Sequence, residues 1–168
     1  MEKRALLVYG IPNKDEDSFN FKEGSKKNIE LMTKVANNSG YKTDISHLYN
    51  FDLGLKDYHN VDQFLFYFTG HSNQSSLGHH KNSLDNFLDS IAKIKGEKIV
   101  ILDSCTEEFI PQKKLPRQTK IFGAHKSYDY RSLAKLFYEL TEYYNKDLRE
   151  IDKKSFDEIK QNWVYVGG

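Results

Sequence analysis

Two apolar runs constrain this chain more than anything else in it. Phe64-Leu-Phe-Tyr-Phe-Thr-Gly-His71-Ser72 and Lys98-Ile-Val-Ile-Leu-Asp103-Ser104-Cys105-Thr106 hold continuous aromatic, aliphatic and β-branched residues, then stop abruptly at polar, reactive ones. Uninterrupted runs of this length predict strands buried on both faces, the usual state in a parallel sheet. A helical pattern lies between them, long enough for one right-handed crossover, so the two strands are expected to be neighbours. In open α/β sheets ligands gather beyond the carboxyl ends of the strands. The sequence thus sends an imidazole, His71, and the chain's only thiol, Cys105, to the same sheet edge. A thiol beside an imidazole is the minimal equipment for nucleophilic catalysis by cysteine.

The other segments fit around this pair. Ala5 to Tyr9 predicts a first buried strand, followed by a polar, irregular stretch over residues 12–25. Ile29, Met32, Val35 and Ala36 recur at helical spacing, and Gly40 is a natural stop. Lys42 to Leu48 alternates as a second strand, Phe51 to Asn60 reads as a loop with a short turn, and Gln63 to Thr69 is the third strand. Asn73 to Lys81 is polar and predicts a loop. Leu84, Phe87, Leu88, Ile91 and Ile94 form one apolar helical face, with Ser83 or Asn82 as N-cap and Gly96 as the stop. After the strand Lys98 to Asp103 come a loop with two prolines, a fifth strand from Thr119 to Ala124, and a helix carrying Leu133, Leu136, Phe137, Leu140 and Tyr144. Ser155 and Glu158 fit a capping box for a short last helix, and Trp163 to Val166 fits an edge strand. The order β-α-β-β-α-β-β-α-α-β, with buried parallel strands, predicts a three-layer α/β sandwich with a mostly parallel sheet.

Composition narrows the function classes. The length of 168 residues suits one domain over 1–168 with a substantial core, and aromatic residues at 14% supply much of the burial. A formal net charge of +1 implies no field for nucleic acid or membrane, and neither partner is expected. A single cysteine excludes an internal disulfide and suggests a reducing, cytoplasmic setting. The N-terminal apolar stretch is too short for a signal peptide, and no run reaches a membrane span. His79 and His80 lack carboxylate or thiol partners at metal-ligand spacing, so they read as surface-loop residues; no metal or cofactor is expected.

Strand-Gly-His followed by a helix, then strand-Asp-x-Cys, resembles the caspase-like cysteine peptidases, the group of caspases and metacaspases. Tyr67-Phe-Thr-Gly-His71-Ser72 resembles the metacaspase Tyr-x-Gly-His-Gly pattern, Ile101-Leu-Asp103-Ser-Cys105 its Asp-x-Cys, and Lys3-Arg-Ala-Leu-Leu-Val-Tyr-Gly the fold's first strand. The departures are Ser72 in place of Gly, Thr106-Glu107 after the cysteine, and the absence of Gln-Ala-Cys-x-Gly. The resemblance implies a caspase-like fold and peptide hydrolysis through an acyl-enzyme. Cys105 would be the nucleophile and His71 the proton shuttle, with the backbone N–H groups of Ser72 and Cys105 as oxyanion donors. It also implies that Asp103 lines a pocket favouring Lys or Arg at P1; the bland alternative is a solvated strand-end carboxylate. Asp129 would add a second pocket carboxylate or simply cap the next helix. In such enzymes the loop after the catalytic strand is often cut, and residues 112–120 offer Lys113 and Lys114.

Two other readings stand beside this one. A catalytically silent domain of the same fold would act as a regulatory protein-binding module. A nucleotide-binding module is disfavoured, because the first strand is not followed by Gly-x-Gly-x-x-Gly and there is no P-loop.

Overall fold

The structure, a computed structural model, describes residues 1–10, 19–47, 52–73, 76–77, 82–104, 114–124 and 132–168, with the backbone alone at 19, 20, 72, 73, 82 and 124. Its centre is a six-stranded sheet built from β1 (Lys3–Gly10), β2 (Lys42–His47), β3 (Gln63–Gly70), β7 (Glu97–Asp103), β8 (Thr119–Ala124) and β9 (Val164–Gly167). The spatial order is β2-β1-β3-β7-β8-β9. All pairs are parallel except β8 with β9, which is antiparallel. The two apolar runs are adjacent strands in register: Gln63 lies opposite Glu97, and Thr69 opposite Asp103.

Helices cover both faces, α1 (Phe19–Asn38), α3 (Leu133–Glu142) and α4 (Lys153–Glu158) on one and α2 (Leu84–Ala92) on the other. Strand alternation sorts the core accordingly. Ala5, Leu7, Leu65, Tyr67, Ile99, Ile101 and Phe122 join the cluster under α1, α3 and α4. Leu6, Val8, Phe64, Phe66, Phe68, Val100, Leu102 and Ile121 join the cluster under α2. Every residue of β3 is buried, as a central strand of a three-layer sandwich requires. Aromatic rings fill both layers. Phe66 meets Phe87 of α2 at 4.6 Å between centroids, and Phe122, Phe137 and Phe156 form a triangle with sides of 5.0, 5.6 and 5.8 Å.

The expected sandwich is therefore present, with four corrections. Helix α1 begins at Phe19, well inside the stretch expected to be irregular. The polar segment after β3 is not all loop: β4 (Ser72–Asn73), β5 (Ser76–Leu77) and β6 (Asn82–Ser83) form a small antiparallel sheet. The N-cap of α4 is Asp152, which accepts from the Ser155 backbone at 3.1 Å, so Ser155 is the third helical residue and not the cap. Helix α2 ends at Ala92 with Lys93 as C-cap, before Gly96. Gly96 serves a close approach instead: a Cβ there would lie 1.9 Å from the Asp62 carbonyl oxygen. Among the described residues no helix is long and apolar enough to cross a membrane.

Candidate active site

Beyond the carboxyl ends of β3 and β7 the chain turns polar, and the first candidate side chain there is His71. Gly70 delivers it. Its φ of 149° lies where side chains are strained, and a Cβ would sit 2.6 Å from the Gly10 carbonyl oxygen on β1. His71 continues the alternation of Tyr67 and Thr69 toward the α1 layer. Its imidazole stacks on the ring of Phe21, centroids 4.3 Å apart and planes 10° from parallel. Ser72, the expected oxyanion donor, opens β4 and pairs with Leu77 of β5. The ring of His71 is half-buried, held between helix α1 and the sheet edge.

Asp103 ends β7. Of the two readings of this residue, the solvated strand-end carboxylate does not hold: Asp103 is 1% exposed. It turns toward the start of α3, where a helix leaves its first N–H groups without intrahelical partners. Leu133 N donates to Oδ1 at 3.0 Å and Ala134 N to Oδ2 at 3.1 Å. The Tyr67 hydroxyl donates to Oδ2 from the neighbouring strand, and Ser132 Oγ lies 3.4 Å away. Burial pushes this carboxyl up to about 6, against the downward pull of the hydrogen bonds from Tyr67, Leu133, Ala134 and Ser132. Burial, followed by the charge of Asp103 and the bond to it, raises the Tyr67 phenol well above its ordinary value.

Further polar side chains extend from Asp103 across to β3. Ser132 is the N-cap of α3, accepting from Lys135 N at 3.2 Å, and its hydroxyl donates to Asn28 Oδ1 on α1 at 2.5 Å. Asn28 Nδ2 donates to Thr69 Oγ1 at 3.2 Å. The end of β3 is thus tied through Asn28 to the N-terminus of α3, which in turn holds Asp103 at the end of β7. Cys105 and Asp129 lie outside the described residues, as do His79, His80 and His125. Among the described residues no group of three or more His, Cys, Asp or Glu side chains could hold a metal ion.

The sequence reading singled out His71 and Asp103 but missed Phe21, Asn28, Thr69, Tyr67 and Ser132. For Ser132 a signal existed, since a serine just before the periodic Leu133-Leu136-Phe137 run is a standard N-cap. Nothing local marks Asn28 or Phe21, whose partners lie 41 and 50 positions downstream.

Comparison with known proteins shows the fold. The crystal structure of caspase-1 from Spodoptera frugiperda superposes with a TM-score of 0.58, over 84% of this chain and 70% of that one, at 13% sequence identity. No protein-family model matches the sequence, and no curated protein matches it. The mostly parallel six-stranded sheet between helical layers is a caspase-like fold.

Proposed function

We propose that this chain is a cysteine endopeptidase working through Cys105 and His71. The observation that carries the reading is the register of β3 and β7. Thr69 lies opposite Asp103, so both chains leave the sheet at one edge, with an imidazole and a thiol each two residues further on. In this reading the Cys105 thiolate attacks the scissile carbonyl, and the backbone N–H groups of Ser72 and Cys105 hold the oxyanion. His71 gives its proton to the departing amine, then takes one from the water that cleaves the thioester. The stack on Phe21 limits the imidazole to few orientations, which favours proton transfer in a fixed direction.

A preference for Lys or Arg at P1, through Asp103 and Asp129, belongs to the same proposal. To pair with a cationic side chain, Asp103 would have to exchange bonds it now accepts from Tyr67 and α3. A peptide library separates this part of the proposal from the rest: hydrolysis that is indifferent to basic P1 residues removes the pocket role of Asp103 and leaves the dyad standing.

The test of the dyad is labelling with a peptidyl-arginine electrophile and, should that fail, a peptidyl-leucine one, with mass mapping of the modified residue. Label on Cys105, lost in His71→Ala and accompanied by peptide turnover that Cys105→Ala abolishes, is the expected result. Turnover retained by a folded Cys105→Ala protein refutes it.

A further inference from the structure

We propose that Asn28 is a positioning residue of this site, holding the end of β3 to the N-cap of α3 and so fixing the spacing of the two strand ends that lead to His71 and Cys105. The inference rests on reading those two residues as the reacting pair.

Helix α1 changes character along its length. Toward its C-terminal half, Ile29, Met32, Val35 and Ala36 are buried against the sheet in the manner of an ordinary amphipathic helix. Toward its N-terminal half, nearer the carboxyl edge of the sheet, the inward positions are Phe21, Ser25 and Asn28, a spacing that keeps all three on one face. Phe21 stacks on His71 and Asn28 bonds to Thr69, so this half of the helix touches the strand end that carries the imidazole. Asparagine is a poor residue for a helix interior. Among the described residues its amide serves no bond along the helix; its two hydrogen-bond partners, Thr69 and Ser132, come from other elements.

An amide is needed at this position because it must accept from one neighbour and donate to another. Ser132 has one hydroxyl proton. At 2.5 Å from Asn28 Oδ1 and 3.4 Å from Asp103 Oδ2, that proton goes to Asn28. Asp103 is held mainly by Tyr67 and the two backbone N–H groups of α3, with Ser132 the longest of its contacts. Asn28 Nδ2 in turn supplies Thr69 Oγ1. The bonds therefore run in one direction, from Ser132 through Asn28 to Thr69, and such chains strengthen one another. Asn28 is the member that both donates and accepts through one planar group, which fixes the distance between the elements it joins. Small displacements at a reacting pair are costly, so a bridge of this kind acts on rate more than on substrate binding.

Asn28→Leu keeps similar bulk, improves helix propensity and removes the bridge; Thr69→Val removes the acceptor at the other end with almost no change of shape. Expected in each is a kcat about 10-fold or more below wild type, with KM within about twofold and the melting temperature of Asn28→Leu near wild type. The double variant should be no worse than the poorer single one within about twofold, since both break one bridge. Iodoacetamide labels the single thiol, so the pH profile of Cys105 alkylation gives a second readout that needs no substrate, and it should move in both variants. Wild-type kcat in the folded variants, or losses that multiply in the double variant, would overturn the proposal. If the wild-type chain itself shows no Cys105-dependent turnover, the dyad reading fails, and an unchanged alkylation profile then overturns the positioning role as well. Should Asn28→Leu fail to fold, Thr69→Val breaks the same bond and decides alone.

Discussion

The imidazole of His71 lies flat against the ring of Phe21, one from the sheet edge and the other from the first turn of α1. A stacked pair of this kind is worth about 0.5–1.5 kcal/mol beyond the area it buries, and it restrains a ring that, in the proposed dyad, must face one way to exchange a proton. Phe21→Ala is expected to lower kcat by about 10-fold, while Phe21→Tyr, which keeps the stack, stays within about twofold of wild type. Steady-state kinetics on one peptide substrate distinguishes the two. Equal losses in both variants would show that the stack does not orient the base.

Gly70 is the second point on which His71 depends. It pairs with Gly10 across β1 and β3, and an added methyl would meet the Gly10 backbone at 2.6–2.8 Å, at a φ of 149° that side chains resist. Gly70→Ala should cost about 1–3 kcal/mol in urea denaturation and displace the imidazole, with a loss of activity larger than the loss of stability explains. Gly24 provides the contrast. It is exposed on α1, and a Cβ there meets nothing within 4 Å, so Gly24→Ala should stabilise by about 0.5–1 kcal/mol and leave activity alone.

Self-cleavage, if the chain processes itself, is expected after Lys113 or Lys114 rather than after Arg117. Lys114 is exposed. The Arg117 carbonyl already accepts the Thr119 hydroxyl at 3.1 Å, and the next carbonyl, of Gln118, accepts the Lys98 backbone N–H at 2.8 Å. A scissile bond must be free to enter an extended cleft, and this one is tied to the sheet. Incubation of the purified chain, with Cys105→Ala as control and N-terminal sequencing of fragments, reads the site. A fragment beginning at Gln118 would contradict the expectation.

The sheet was legible because strands buried on both faces have no polar positions to disguise them. The runs 64–69 and 98–103 could only be central, and their abrupt ends marked the edge that carries the candidate site. Elements held by few residues were not legible. Strands β4, β5 and β6 have two residues each, too few for any period to appear. The start of α1 read as loop because Ser25 and Asn28 face inward as polar side chains, and local composition does not reveal that Thr69 and Ser132 await Asn28. The burial of Asp103 was hidden for the same reason. A carboxylate after an apolar run ordinarily meets water, and its burial follows from the N-terminus of α3 arriving from 30 positions downstream.

That burial gives Asp103 a measurable signature. Because its carboxyl is raised to about 6 in the folded protein, the native state holds the proton that the unfolded chain releases near pH 4. Between those values the folded state binds more protons than the unfolded one, so stability falls as pH rises from about 4 to about 6 and levels off above. The contribution lost is on the order of 3 kcal/mol for a fully buried group. Paired carboxylates at the surface, such as Asp44 beside Arg4, are held below their ordinary value and act in the opposite sense, losing their contribution only at lower pH. Asp103→Asn cannot titrate, and one of its amide hydrogens would face a donor from Tyr67 or α3, leaving an N–H or O–H unsatisfied at a cost of about 1–3 kcal/mol. Urea denaturation from pH 4 to pH 8 is therefore expected to show a downward slope between pH 4 and pH 6 in the wild-type chain that is missing in Asp103→Asn. Parallel curves for the two proteins would place the proton elsewhere.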